Sequence, residues 1–289
     1  MHIVDMRLRP PLESWTDKPQ YKEDSSAYIP TRIGFPRAPS AVNRSIGLLL
    51  QEMDEAEIQW GVIMGRKSKA PLGVIPNEEI EALIVRHPNR FVSFVGVSVS
   101  DPIDASIAEI KKFLAKPGFV GVSIEPCCSE IPMAADDPRI YPIYELCQSM
   151  GVPISISLST LLTAMSGSPY EFSSPLPLYK AARDFRKLNM VVSHGAWPWV
   201  REMLGVAYSF NNVWVSPDLY MLGPDTPGGE DYIKAANMYL FDRTLFGTAY
   251  PTRPLKESVE AFDQWSFAPG VRERILYKNA HNLMRLPGG

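Results

Sequence analysis

Three ionisable residues alternate with apolar ones near the start of the chain. Asp5, Arg7 and Arg9 stand two positions apart in and just after the apolar run 2–8. Side chains of a β-strand point alternately to its two faces, so these three share one face. The other face is apolar and is expected to meet helices; it holds Val4, Met6 and Leu8. Because buried arginines are costly unless paired, the pattern predicts structural ion pairs or a bidentate carboxylate or phosphate site.

Further residues capable of chemistry follow other short apolar runs. They are Arg66, Lys67, Glu125, Ser157, Ser159, His194, Asp218, Tyr250 and Arg253. His194 has a side chain suited to acid–base catalysis near neutral pH, or is a buried histidine that donates to a backbone carbonyl. Glu125 and Asp218 are catalytic candidates or balance the arginines. We assign substrate binding to Arg7, Arg9, Arg66, Ser157, Tyr250 and Arg253.

The elements that carry these residues indicate an α/β fold. Eight strand-like runs alternate with amphipathic helical patterns, and they span 2–8, 60–64, 91–97, 119–125, 153–158, 190–194, 213–216 and 244–248. Eight such units predict a (β/α)₈ TIM barrel. The alternative is an open doubly wound sheet, but no Gly-x-Gly-x-x-Gly follows the first strand. In a barrel, functional residues lie at the C-terminal ends of the strands.

One irregular segment interrupts the alternation. We predict a single domain over 1–289, with an insert over 10–44 after the first strand. Its first 31 residues are rich in proline and contain Trp15, Tyr21, Tyr28 and Phe35. Such an insert forms a lid over the barrel mouth or packs against a neighbouring subunit.

Composition excludes several classes of protein. The 289 residues are 45% hydrophobic and 21% charged, as in a globular protein, and the net charge of −3 predicts no nucleic-acid partner. No apolar run reaches the ~20 residues of a membrane helix, and no signal peptide is visible, so no membrane association is expected. Three cysteines, Cys127, Cys128 and Cys147, favour a reducing cytoplasm over a disulfide framework.

Four segments, taken together in order, resemble motifs of one family. Residues 4–10 read Val-Asp-Met-Arg-Leu-Arg-Pro and 192–195 read Val-Ser-His-Gly. Residues 245–251 read Leu-Phe-Gly-Thr-Ala-Tyr-Pro and 279–283 read Asn-Ala-His-Asn-Leu. The chain resembles the amidohydrolase-related ("amidohydrolase 2") family of metal-dependent hydrolases and decarboxylases. This resemblance implies a TIM barrel and a homo-oligomer.

The departures from the family pattern concern its metal. The family binds a divalent cation through two first-strand histidines, a fifth-strand histidine and an eighth-strand aspartate. Here those positions carry Arg7, Arg9, Ser157 and Ala249, and of the family's histidines only the sixth-strand one, His194, remains. A guanidinium has no free lone pair, and a catalytic zinc needs about three His, Cys or carboxylate ligands. We therefore expect no metal cofactor, and Ala249 cannot handle the proton of an attacking water.

The functional prediction follows from these replacements. It is a hydrolase that acts without a divalent metal on a small carboxylate- or lactone-type anion, with Arg7 and Arg9 binding the anion and His194 as acid–base. The alternatives are a non-catalytic barrel that binds small anions, a carboxy-lyase of the same family, or a metalloenzyme with a site rebuilt from His194, Glu125 and Asp218.

Overall fold

Parallel strands in sequential order form the centre of the molecule. The computed structural model describes residues 2–22, 37–223 and 226–287. Within them, one sheet runs from β1 to β7 in chain order. The strands are β1 Ile3–Asp5, β2 Ile58–Met64, β3 Phe91–Gly96, β4 Phe119–Ile124, β5 Ile154–Ser157, β6 Met190–Ser193 and β7 Val213–Ser216.

The eighth predicted strand is present as an irregular extended segment, 244–250. Leu245 N donates to Val215 O of β7 at 2.9 Å, and Met6 N donates to Phe246 O at 2.9 Å. The segment therefore bridges β7 to the chain following β1 and closes the TIM barrel. It is not a regular strand because its other amides are engaged elsewhere: Phe246 N donates to Ile275 O, and Thr248 N donates to the Asp5 carboxylate.

Helices surround the sheet, as the alternating pattern predicts. They are α1 Glu13–Thr16, α2 Pro39–Val42, α3 Ile46–Glu55, α4 Asn77–Arg86, α5 Ile103–Leu114, α6 Tyr141–Met150, α7 Thr160–Ser166, α8 Leu178–Asp184, α9 Val200–Ser209, α10 Gly229–Met238, α11 Leu255–Phe262, α12 Val271–Glu273 and α13 Asn279–Met284. Ser45 caps α3 by accepting from Leu48 N, and Gly151, with φ 66°, ends α6. None of the described helices is both long and apolar enough to cross a membrane.

Apolar side chains form two main layers. The outer layer fills the space between strands and helices. The inner cluster joins strands on opposite sides of the barrel and the C-terminal segment; it includes Val4, Met6, Val62, Val191, Leu245 and Leu283. The polar C-terminal ends of the strands lie on one side of this inner cluster.

The alternation predicted for the first strand is wrong in part. Val4 and Met6 pack in the inner cluster and not in the layer between the sheet and the surrounding helices, whereas Leu8 belongs to that outer layer. Regular β-structure ends at Asp5 and the chain bends at Met6, so strict alternation does not continue to Arg9. This bend lets apolar residues fill the barrel while Arg7 and Arg9 still reach its C-terminal end.

Candidate active site

Strained backbone marks the C-terminal ends of three neighbouring segments. His194 follows β6, Asp218 follows β7 and Ala249 lies in the closing segment, with φ of 63°, 54° and 59°. For a residue with a side chain this left-handed conformation costs roughly 1–2 kcal/mol. Such strain persists where the surroundings impose it, and it clusters at functional sites.

Glu125, after β4, is the centre of a cluster in which both carboxylate oxygens are hydrogen-bonded. Its carboxylate accepts from Arg66 Nε at 2.9 Å and Nη2 at 3.1 Å, and from Arg7 Nη2 at 3.3 Å. Ser68 and Ser157 hydroxyls donate at 2.6 and 3.3 Å. Burial raises the pKa of Glu125, but the two guanidiniums and these hydrogen bonds lower it by more than burial raises it. The resulting pKa is about 2. The group is therefore a permanent counter-charge.

Arg9 lacks such a counter-charge. Its Nη1 donates to the carbonyls of Ala249 at 3.0 Å and Tyr250 at 3.5 Å. Within the described ranges no carboxylate forms an ion pair with it, and its buried Nε has no partner. Burial lowers the pKa of Arg9, and the charges of Arg7 and Arg66 lower it further. This guanidinium is the one best placed to accept an anion.

His194 and Asp218 form a buried pair. Nδ1 of the imidazole lies 3.2 Å from Oδ2 of the carboxylate, close enough for an ion pair although the angle is poor for a hydrogen bond. The same oxygen accepts the backbone N–H of His194 at 3.1 Å, and Oδ1 accepts from Ser216 at 2.6 Å. Residue 247 must be glycine here, because a Cβ would lie 2.8 Å from Asp218 Oδ1.

The electrostatics of this pair favour the neutral imidazole. Burial lowers the pKa of His194 well below its usual range, and the charges of Arg7, Arg9 and Arg66 act in the same direction. Burial also raises the pKa of Asp218. Nε2 of His194 is buried and has no partner among the described residues. At neutral pH this nitrogen can act as a base, since no described residue donates a hydrogen bond to it.

A small enclosed cavity joins these groups. Its volume is about 20 Å³, which holds one water-sized molecule. The apolar side chains of α7 form one wall. The polar side chains that line it are Arg9, Gln20, Ser159, His194, Tyr220 and Thr252. The cavity therefore places the unpaired guanidinium and the neutral imidazole around one space.

Comparison with known proteins identifies the family. A family model described as Amidohydrolase matches residues 26–286. The chain belongs to the amidohydrolase family. No curated protein matches it.

Solved structures show the same fold. An uncharacterised TIM-barrel protein of Bordetella bronchiseptica is 35% identical, over 99% of both chains, with a TM-score of 0.87. A 2,6-dihydroxybenzoate decarboxylase of Rhizobium is 20% identical over 83% of this chain and 88% of that chain (TM-score 0.65). A probable 2-pyrone-4,6-dicarboxylic acid hydrolase of Acinetobacter baumannii, solved with citric acid, is 15% identical over 99% and 100% (TM-score 0.65). The last two share the fold with this amidohydrolase.

The donor set of this amidohydrolase does not fit the divalent metal that its family implies. Arg7 and Arg9 carry no lone pair, and Ala249 offers no side-chain donor. The carboxylate of Glu125 already accepts hydrogen bonds from two arginines. Across the described part of the chain, no three His, Cys, Asp or Glu side chains are grouped as metal ligands. His194, Glu125 and Asp218 therefore do not form the rebuilt metal site considered as an alternative from the sequence.

The structure places the site residues predicted from the sequence in different surroundings. Arg9 and His194 share the cavity, with Asp218 behind the imidazole. Four others form the cluster described above: Arg7, Arg66, Glu125 and Ser157. Tyr250 does not line the cavity, since its hydroxyl lies 2.7 Å from Ser40 Oγ. Arg253 is buried, also outside the cavity lining, near enough to Tyr220 for the two to interact electrostatically.

Sequence reasoning missed three polar cavity residues, Gln20, Tyr220 and Thr252. Tyr220 stands two positions after Asp218, in the same loop, and that spacing was the available signal. Its ring stacks on Trp197 with centroids 4.8 Å apart. Gln20 lies in the insert, where no periodic pattern points to it.

The described part of the insert covers the arginines. Trp15 is fully buried, and its ring lies 5.0 Å from the Arg66 guanidinium and 5.9 Å from that of Arg9. The Tyr21 hydroxyl donates to Arg9 O at 2.5 Å. The insert's other two noted aromatics, Tyr28 and Phe35, lie outside the described residues.

Proposed function

We propose that this amidohydrolase hydrolyses a small anionic substrate of the carboxylate or lactone type without a divalent metal. The observation that carries the proposal is one cavity lined by a neutral imidazole, backed by a carboxylate, and by a guanidinium that meets no carboxylate among the described residues. These are His194, Asp218 and Arg9. A base and an anion site around one small space are parts that acyl-group hydrolysis requires.

The chemistry assigns one role to each group. His194 Nε2 removes a proton from a water molecule, whose oxygen attacks the ester carbonyl of the substrate. Asp218 stabilises the imidazolium that forms, and Arg9 stabilises negative charge on the substrate. The ring C–O bond then breaks, and His194 returns the proton to the leaving oxygen. The lowered pKa of His194 makes its protonated form a strong acid for that step.

The remaining charged residues position Arg9 and the substrate. Arg7 and Arg66 are held by Glu125, so their unpaired N–H groups add positive potential without moving. Structures of the same fold support the substrate class, since they include a 2,6-dihydroxybenzoate decarboxylase and a probable 2-pyrone-4,6-dicarboxylic acid hydrolase. Both names denote carboxylates, and the second also denotes a lactone.

The test is a turnover screen of chelator-treated protein, with metal content measured, against lactones and aromatic carboxylates. We expect activity with well under one equivalent of metal. His194→Asn, which tolerates positive φ but is not a base, should lose about 10²–10⁴ in kcat. His87→Asn, at the end of α4, is the control and should retain activity.

Three outcomes would contradict the proposal. Activity that requires added metal would restore the family's usual chemistry. Release of CO₂ without ester cleavage would indicate a carboxy-lyase. Stabilisation by small anions without turnover of any compound would indicate a binding protein.

A further inference from the structure

Gln20 presents an unused polar atom to the cavity. Its side chain is 7% exposed and lines the cavity together with Arg9 and His194. The amide oxygen Oε1 is buried and has no hydrogen-bond partner among the described residues. A buried acceptor left unpaired lowers stability, so a native chain retains one where a ligand or a water completes it.

The local structure fixes the backbone of Gln20. Gln20 is the middle residue of the turn Pro19–Tyr21, in which Tyr21 N donates to Lys18 O at 3.0 Å. The Tyr21 hydroxyl is bonded to Arg9 O, and Trp15 packs on the arginines. The turn is therefore tied to the backbone of the anion-binding residue, and this keeps Gln20 beside the cavity.

The polar groups of the cavity differ in what they offer a ligand. Arg9 can only donate, and it suits an anionic oxygen. His194 Nε2 accepts, and the proposed reaction uses it for the attacking water. Gln20 Oε1 is an acceptor with no partner among the described residues, and it does not titrate. It fits a ligand group that donates a hydrogen bond.

Building on the proposed function, we infer that Gln20 is a specificity-determining residue. It selects, among small anions that Arg9 can hold, those that also carry a hydroxyl or N–H donor. A ligand without that donor leaves Oε1 buried and unpaired, and this penalty gives polar sites their discrimination. Ligands larger than one water require the α7 wall to move, and Met165 in that wall is a flexible side chain.

The test compares acids that differ by one hydroxyl. Calorimetric titration of the whole protein with L-malate against succinate, and with glycolate against acetate, gives two affinity ratios. We expect the hydroxy acid to bind about tenfold more tightly in each pair. Gln20→Met keeps the shape and removes the acceptor, so both ratios should fall to about one.

Two further variants serve as controls. Gln59→Met removes another unpartnered amide oxygen, which belongs to β2 and faces a different pocket, and should leave the ratios unchanged. Gln20→Glu keeps an acceptor but adds a negative charge that competes for Arg9. It should weaken all four acids while the hydroxy acids keep their advantage.

The outcomes separate this inference from the proposed function. Equal affinity of the paired acids in the wild type, or a ratio that survives in Gln20→Met, would overturn the role of Gln20 and leave the anion site intact. If none of the four acids binds, the anion site proposed for Arg9 and this inference both fail.

Discussion

The two sides of the polar site treat buried charge in different ways. Around Glu125, two guanidiniums and two hydroxyls donate to one carboxylate, and both carboxylate oxygens are used. Around Arg9, the guanidinium donates to backbone carbonyls and faces the Trp15 ring, and neither it nor the neighbouring His194 Nε2 meets a carboxylate or a hydrogen-bonding side chain among the described residues. Both sides are almost completely buried.

This difference separates a structural role from a binding role. A buried ion pair whose carboxylate is fully used holds its side chains in position, and a ligand gains little from displacing it. A buried guanidinium that meets no carboxylate among the described residues has instead lost its hydration without gaining an opposite charge there. We interpret the Glu125 side as the support and the Arg9 side as the surface that meets substrate.

Loss of the Glu125 charge should have the largest effect. Glu125→Gln leaves two buried guanidiniums without a counter-charge, and we expect a loss of about 3–5 kcal/mol in the free energy of unfolding. Urea denaturation at pH 7 measures it. Because the pKa of Glu125 is lowered to about 2, its contribution is complete above pH 4.5 and is lost as the pH falls through about 2.

The matched control for that variant is Glu78→Gln. Glu78 pairs with Lys112 at the surface, with more than half of each side chain exposed, and such pairs contribute about 0–1 kcal/mol. Equal stability of the Glu125 and Glu78 variants would show that the arginines find other partners. It would remove the distinction between the two sides of the site.

Asp5 should make stability depend on pH. Its carboxylate accepts from Arg7 N, Thr248 N and the Thr248 hydroxyl, and burial raises its pKa to about 6. A raised pKa means that its contribution is complete below about pH 3.8 and is lost as the pH rises through 6. The change is on the order of 3 kcal/mol. Asn keeps an acceptor for both backbone amides and does not titrate.

The measurement is the difference between wild type and Asp5→Asn in unfolding free energy from pH 4 to 7. We expect the wild type to lose stability relative to the variant across this window. Taking the difference cancels the contribution of His194, because both proteins contain it. The pKa of His194 is lowered, so its contribution alone makes the unfolding free energy rise toward pH 6.5. Asp137→Asn is the control: the pKa of Asp137 is lowered from its usual 3.8, so its contribution changes below this window and the difference from wild type should stay nearly flat from pH 4 to 7. A flat difference for Asp5 would contradict the raised pKa.

Much of the fold follows from local patterns in the sequence. Seven of the eight predicted runs contain a strand, because runs rich in β-branched residues alternate along the chain with amphipathic helices. The eighth run, 244–248, departs from regular structure because a distant carboxylate, that of Asp5, takes the amide of Thr248. The face predicted for Val4 and Met6 is wrong because alternation along a strand does not tell which of its two faces points into the barrel. Leu8 departs from them because the chain bends at Met6, and a composition pattern does not reveal a bend.

The candidate site was predictable only as a set of strand ends. The barrel rule brings Arg9 and His194 to one mouth, and the resemblance to the family points to the same residues. Which of these residues form ion pairs was not predictable, since it depends on how far each side chain extends. Glu125 pairs with Arg7 and Arg66 but not with Arg9. Gln20 was not predictable either, because the path of an insert over a barrel follows from contacts distant in sequence.

The smallest effect on stability should come from Arg9, and it sharpens the comparison most. Arg9→Met loses bonds to two backbone carbonyls and an aromatic contact, which we expect to cost about 1 kcal/mol without ligand. Arg7→Met removes a charged hydrogen bond to Glu125 and should cost about 1.5–3 kcal/mol. Thermal unfolding with a citrate or phosphate series tests binding by mass action. Wild type and Arg7→Met should gain stability with anion concentration, and Arg9→Met should not. If instead the anion effect disappears with Arg7 and persists without Arg9, the paired side of the site is the one that binds, and the roles assigned to the two sides are reversed.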